Sequence, residues 1–143
     1  MKILVTGAAG FIGFHTSQRL LESGHEVIGL DNLNDYYDVN LKNDRLNILR
    51  KFESFSFRQN NLEDKDEIDR IFQEDRPQRV IHLAAQAGVR YSIEHPEVYI
   101  QSNIIGTFNI LEGCRHNKVE NLVYASSSSV YGLNTNYPFC RAL

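Results

Sequence analysis

Cysteine, proline, positive charge and long apolar runs are all in short supply in this sequence. Its 143 residues include two cysteines and three prolines. Cys114 and Cys140 cannot build a disulfide framework, and neither has a second cysteine or a histidine at metal-ligand spacing. His15, His25, His82, His95 and His116 are equally scattered, so no metal site is expected. No uninterrupted apolar run approaches the roughly 20 residues that span a bilayer. The opening run Lys2-Ile3-Leu4-Val5-Thr6 turns to glycine before a signal-peptide core could form, which makes the cytoplasm the expected location and a membrane partner unexpected. Fifteen Lys and Arg against eighteen Asp and Glu give a net charge of −3 with the basic residues dispersed, which argues against nucleic acid as a partner. At 42% hydrophobic with 9 glycines the chain is neither disordered nor collagen-like, and it reads as one globular domain.

What is present alternates. Lys2–Thr6 is a short aliphatic run ending in a glycine-rich turn, and Phe11–Ser23 carries apolar residues at helical spacing until Gly24. Glu26–Leu30 and Phe55–Arg58 are further strand-like runs, separated by an Asn- and Asp-rich stretch whose Leu41, Leu46, Ile48 and Leu49 suggest a helix after a loop. Asp64–Glu74 places Ile68, Ile71 and Phe72 on one face, and Arg79–Leu83 is a fourth strand. Glu94–His116 is long enough for a substantial helix, with Val98, Ile104, Ile105, Phe108, Ile110 and Leu111 as its apolar positions, and Leu122–Ala125 is a fifth strand running into serines. Parallel neighbours need a crossover, and a helix is that crossover. The fold class is therefore α/β, a doubly wound parallel sheet of order 3-2-1-4-5, with a ligand crevice at the carboxyl ends of strands 1 and 4.

Gly7, Gly10 and Gly13 occupy that crevice position. Following a strand and opening a helix, they suit a pyrophosphate: the first for the tight turn, the second for close backbone approach, the third for helix–sheet packing. The anion would sit at the positive end of the helix. Asp31, 18 residues after Gly13, ends strand 2 where a carboxylate accepts from the adenosine ribose hydroxyls. Its neighbours Asn32 and Leu33 carry no positive charge to welcome a 2′-phosphate, so NAD is expected over NADP.

The segment Thr6-Gly7-Ala8-Ala9-Gly10-Phe11-Ile12-Gly13 resembles the extended short-chain dehydrogenase/reductases that epimerise or dehydrate nucleotide sugars. Four more segments match in order: Asp31 to Asp38 (DNLNDYYD), His82 to Ser92 (HLAAQAGVRYS), Asn103 to Thr107 (NIIGT) and Ser126 to Gly132 (SSSSVYG). The second and third of the five look most like the UDP-glucuronate 4-epimerases. The resemblance implies that NAD contacts Gly7, Gly10, Phe11, Ile12, Gly13, Asp31 and Asn32, with Leu83, Ala84 and Ala85 following it from strand 4. It places Asn103 on the long helix beside the active site, and Asn61-Leu62 beside the adenine, where the family usually has Asp-Leu or Asp-Ile. It makes Ser127 the catalytic serine that hydrogen-bonds the sugar 4-oxygen, with Ser128 next to it and Arg90 set to meet a diphosphate or a sugar carboxylate on a UDP-sugar.

The implied reaction moves a hydride from sugar C4 to NAD, turns the keto sugar and returns the hydride to its other face. It needs a Tyr in a YxxxK pair as base, the Lys lowering the Tyr pKa. The sequence contains no YxxxK. Tyr137 with Arg141 is no substitute, because Pro138 disfavours a helix at Tyr137. The expectation is an incomplete NAD-binding Rossmann domain over residues 1–143, truncated after strand 5, without a substrate domain and inactive alone. A non-catalytic NAD-binding module and a nucleotide-sugar dehydratase fragment are the alternatives, and intact relatives imply a possible homodimer.

Overall fold

The first strand, β1 (Lys2–Thr6), is buried from Ile3 to Thr6 and lies at the centre of the sheet. The structure is a computed structural model that describes residues 1–132. After β1 come α1 (Phe11–Glu22), β2 (Glu26–Asp31), α2 (Val39–Leu49), β3 (Phe55–Gln59), α3 (Lys65–Asp75) and β4 (Arg79–His82). Then follow α4 (Val89–Glu94), α5 (Pro96–Tyr99), a π-helical segment (Ile100–Gly106), α6 (Thr107–His116), β5 (Asn121–Tyr124) and a 3₁₀ turn at Ser128–Tyr131. All pairings are parallel and the strand order is β3-β2-β1-β4-β5, as the alternation predicts. The registers Val5↔Gly29 and Val5↔Ile81 bring the carboxyl ends of β1, β2 and β4 level with one another.

Helices cover both faces. On one, Phe14 and Leu21 of α1 and Leu46 and Leu49 of α2 pack on Ile3, Val5 and Val27. On the other, Ile68, Ile71 and Phe72 of α3 and Ile110 of α6 pack on Leu4, Ile28, Leu30 and Val80. A fully buried aliphatic or aromatic side chain contributes roughly 1.5–3 kcal/mol, so these two layers supply the main drive to fold. The helix starts are capped as the sequence invites: Asp38 accepts from Asn40 N at 2.9 Å and Asp64 from Glu67 N at 3.2 Å.

The long helix departs from expectation in two ways. It does not start at Glu94: α4 ends there, His95 leaves helical geometry (φ −133°, ψ 58°), and Pro96 opens the next helix at its first position. From Pro96 it runs on to His116 through the π segment. Its core face is also made of smaller residues than the apolar pattern suggests. Gly106, Asn109, Ile110 and Gly113 are buried, whereas Ile104, Ile105, Phe108 and Leu111 are exposed. A Cβ on Gly113 would stand 2.4 Å from the Phe72 ring and one on Gly106 2.5 Å from Leu62 Cβ, so the helix docks backbone-close and keeps its large apolar side chains outside.

Candidate functional site

β1 hands the chain to α1 through Gly7–Gly10. Gly7 stands at φ +70°, and the N–H groups of Gly7 and Ala8 donate to Leu30 O at 2.7 and 3.2 Å, tying the turn to the end of β2. A Cβ on Gly7 would lie 3.0 Å from the backbone nitrogen of Ala84, and one on Gly13 2.0 Å from Gly7 O. Neither place admits a side chain. No side chain caps α1 at Gly10, so the positive end of the helix is left to whatever occupies the space in front of it.

Asp31, the last residue of β2, lies on this turn and not across the sheet. Its Oδ2 accepts from Ala9 N at 3.1 Å and its Oδ1 from Leu33 N at 2.9 Å. Asn32 Oδ1 accepts from Asn34 N at 3.1 Å, which turns its Nδ2 toward Asn61 Oδ1 at 3.0 Å. From α2, the buried Lys42 donates to both O and Oδ1 of Asn34 at 2.7 Å and stands 4.5 Å over the Tyr37 ring. Burial lowers its pKa against the opposing pull of Asp31 and Asp35. Arg45 Nη1 donates to Ala9 O at 3.1 Å and to Tyr37 Oη at 3.3 Å. The corner around Asp31, which carries no cation next to it in sequence, therefore has two in space.

At the end of β4, His82 is buried between Thr6 and Thr107, and burial pushes its pKa down to about 4. Beyond it, Asn103 grips the backbone of Gln86: Oδ1 accepts from Gln86 N at 2.8 Å and Nδ2 donates to Gln86 O at 2.9 Å. Tyr99 Oη donates to the carbonyls of Ala87 and Gly88. The π segment and its flanks thus fasten the loop after β4 in place.

Between these elements opens a cleft of about 360 Å³, within the range of small-molecule sites. Gly7, Gly10, Phe11, Ile12 and Gly13 form one wall, and Asp31 and Asn32 line the β2 end. Leu83, Ala84 and Ala85 line the β4 end, with Leu62 nearby. Asn61 is not among the lining residues, and Asn103 acts on the loop through its amide instead of facing the cleft. Arg90 is exposed on α4 and Ser127 exposed beyond β5; neither is among the described residues that line the cleft. The Ser128 side chain and the pair Tyr137 and Arg141 lie outside the described residues. Sequence reading missed Lys42, Arg45 and His82; the spacing of Lys42 and Arg45, three apart on one helix, was the available signal for the first two.

Residues 3–141 match the NAD dependent epimerase/dehydratase family. The chain belongs to that family. Among curated proteins it is 57% identical to Protein CapI of Staphylococcus aureus over 139 residues, covering 97% of this chain and 41% of that protein. It is 46% identical to a probable UDP-glucuronate 4-epimerase of Rhizobium meliloti over 142 residues, covering 99% of this chain and 42% of that protein. Among solved structures, the UDP-glucuronic acid 4-epimerase of Bacillus cereus in complex with UDP-glucuronic acid and NAD superposes with a TM-score of 0.85 at 38% identity, over 95% of this chain and 43% of that one. The chain thus spans about 42% of the length of these epimerase/dehydratase relatives. No described helix is long and apolar enough to cross a membrane.

Proposed function

We propose that residues 1–143 are the NAD-binding part of a UDP-sugar 4-epimerase whose substrate is UDP-glucuronate and whose product is UDP-galacturonate. The observation that carries this is the Asp31 carboxylate fixed on the Gly7 turn, inside a cleft whose floor has no room for a Cβ at Gly7 or Gly13. Those features fit an adenine dinucleotide: a pyrophosphate against the uncapped start of α1, ribose hydroxyls on Asp31, and a flat path past Leu83, Ala84 and Ala85. The substrate assignment is supported by the relatives named as UDP-glucuronate 4-epimerases and by the Bacillus cereus complex.

In this reading Gly7, Gly10, Phe11, Ile12 and Gly13 hold the pyrophosphate, Asp31 and Asn32 the adenosine ribose and Leu62 the adenine, while Asn61 acts by holding Asn32. Asn103 acts by holding Gln86. When bound, NAD supplies a hydride acceptor that takes the hydrogen of sugar C4 and gives it back. Ser127 hydrogen-bonds the sugar 4-oxygen, with Ser128 beside it, and Arg90 reads the diphosphate or the carboxylate of the sugar. Because the sequence has no YxxxK, no phenol is tuned to take the 4-hydroxyl proton. The chain alone therefore binds NAD without turnover.

The purified chain, incubated with NAD and UDP-glucuronate, should retain NAD in calorimetric titration and form no UDP-galacturonate. Product formation would overturn the inactivity, and absence of NAD binding would overturn the whole reading. The alternative reading is a module that holds NAD with no chemistry in any assembly. Adding the complementary part of a relative and seeing no epimerisation would support that one. The exposed Ile104, Phe108 and Leu111 support the homodimer that the family resemblance implies.

A further inference from the structure

Two loops flank the cleft, one leaving β2 and one leaving β4, and a tyrosine joins them. Tyr36, from the loop after β2, packs its ring edge-on against Tyr91 of α4, with centroids 5.0 Å apart. The tip of its phenol rests on Gly88, where the backbone stands at φ +106° and a Cβ would run into Tyr36 Oη. Tyr99 Oη donates to the carbonyls of Ala87 and Gly88 and so fixes that seat. Tyr91 packs in turn on His95, centroids 4.4 Å apart. Helix α4 has no buried residue, so this ring cluster carries much of its attachment. Tyr36 lines the cleft, and it also lines a neighbouring cavity of about 260 Å³ that Tyr91 lines as well. Tyr91 is not among the described residues that line the cleft. Tyr36 is 45% exposed, so no core packing locks its ring, and the neighbouring cavity leaves room for it to swing.

We propose that the contact between Tyr36 and Tyr91 is a strap across the cleft, which a dinucleotide must open both to enter and to leave. The proposal rests on the cofactor reading above. A dinucleotide has to reach from Asp31 at the end of β2 to Ala84 and Ala85 at the end of β4, and the Tyr36 side chain crosses between the loops that follow those two strands. The ring pair is made and broken without help from the ligand. Its closure lowers the fraction of chains open to entry and to release alike, so it slows both rates and leaves the affinity unchanged. A side chain that simply bound the dinucleotide would slow release alone.

The experiment is stopped-flow binding of NADH to the full 143-residue chain, followed by nicotinamide fluorescence, with release measured by displacement with excess NAD. The variants are Tyr91→Ala, which removes the partner ring and leaves the cleft lining intact, and Tyr91→Phe, which keeps the ring. Tyr91→Ala should raise association and release together by about three- to tenfold, the range one aromatic pair accounts for, with the dissociation constant held within about twofold. Tyr91→Phe should keep both wild-type rates. Circular dichroism checks each fold; if Tyr91→Ala does not fold, Tyr36→Ala takes its place, and faster association is then the deciding result. Unchanged association in the folded alanine variant, or equal acceleration by Tyr91→Phe, would overturn the strap while leaving the cofactor reading in place. A wild type that binds no NADH would overturn the cofactor reading, and the strap with it.

Discussion

The hydroxyl of Thr6 and Nδ1 of His82 stand 2.7 Å apart, buried where β1 and β4 end. Thr6 Oγ1 already accepts from the N–H groups of Leu83 and Ala84, at 3.1 and 3.0 Å. Its own proton therefore goes to Nδ1, which must be an acceptor. The imidazole is neutral with its proton on Nε2, donated to Thr107 Oγ1 at 3.0 Å. One chain of hydrogen bonds thus fixes two strand ends and the helix across from them, directly beneath Ala84 and the Gly7 turn.

A pH dependence follows, with a definite sign. His82 has its pKa lowered from 6.5 to about 4 by burial, so the unfolded chain binds the proton in a window where the folded chain does not. The stability this group preserves is complete above pH 6.5 and is lost as pH falls toward 4. Its share of the loss is about 2 kcal/mol between pH 7 and pH 5, and about 3 kcal/mol below pH 4. Denaturant unfolding of wild type and of His82→Gln at both pH values isolates the contribution. Equal slopes for the two proteins would contradict it.

Gly13→Ala tests the glycine cradle. Its Cβ would stand 2.0 Å from Gly7 O, so α1 must tilt away from the turn. The expected cost is at least about 2 kcal/mol in denaturant unfolding, with NAD affinity lowered by tenfold or more. Near wild-type stability and affinity together would show that the turn relaxes freely.

Asn103→Ala removes both hydrogen bonds to Gln86 and leaves a backbone N–H and a carbonyl without them. A loss of about 1–3 kcal/mol is expected. Amide exchange should speed up locally in the loop from Leu83 to Gly88, ahead of the rest of the molecule. If exchange there is unchanged, Asn103 does not fasten the loop.

Phe108→Asp addresses the exposed apolar face of α6, where Phe108 is 54% accessible. Light scattering should show a dimer for wild type and a monomer for the variant, with stability within about 0.5 kcal/mol once monomeric. A monomeric wild type would remove the homodimer from the account.

The sheet order was readable because strands and helices alternate and parallel connections leave few arrangements. The glycine turn and the place of Asp31 beside it were readable because a turn with no room for a Cβ at Gly7 or Gly13 admits only glycine, and the end of β2 lies next to that turn. The face of the long helix was not. Hydrophobic spacing points to Ile104 and Phe108, whereas contact with Phe72 and Leu62 selects for the smallness of Gly113 and Gly106, which no periodicity of apolar residues reveals. Lys42 and Arg45 left only their three-residue spacing as a signal, and His82 left none, for a related reason. Their neighbours come from other strands and loops, so their chemistry exists only after the chain has folded.

The most direct test of the account is an NAD titration of the isotope-labelled chain followed by amide chemical shifts. The largest changes should fall on Gly10, Phe11, Ile12, Gly13 and Leu33, with Ala84 and Ala85 moving too. Shifts confined to the opposite end of the sheet, around Lys2, Glu26 and Gln78, or no shifts at saturating NAD, would contradict it.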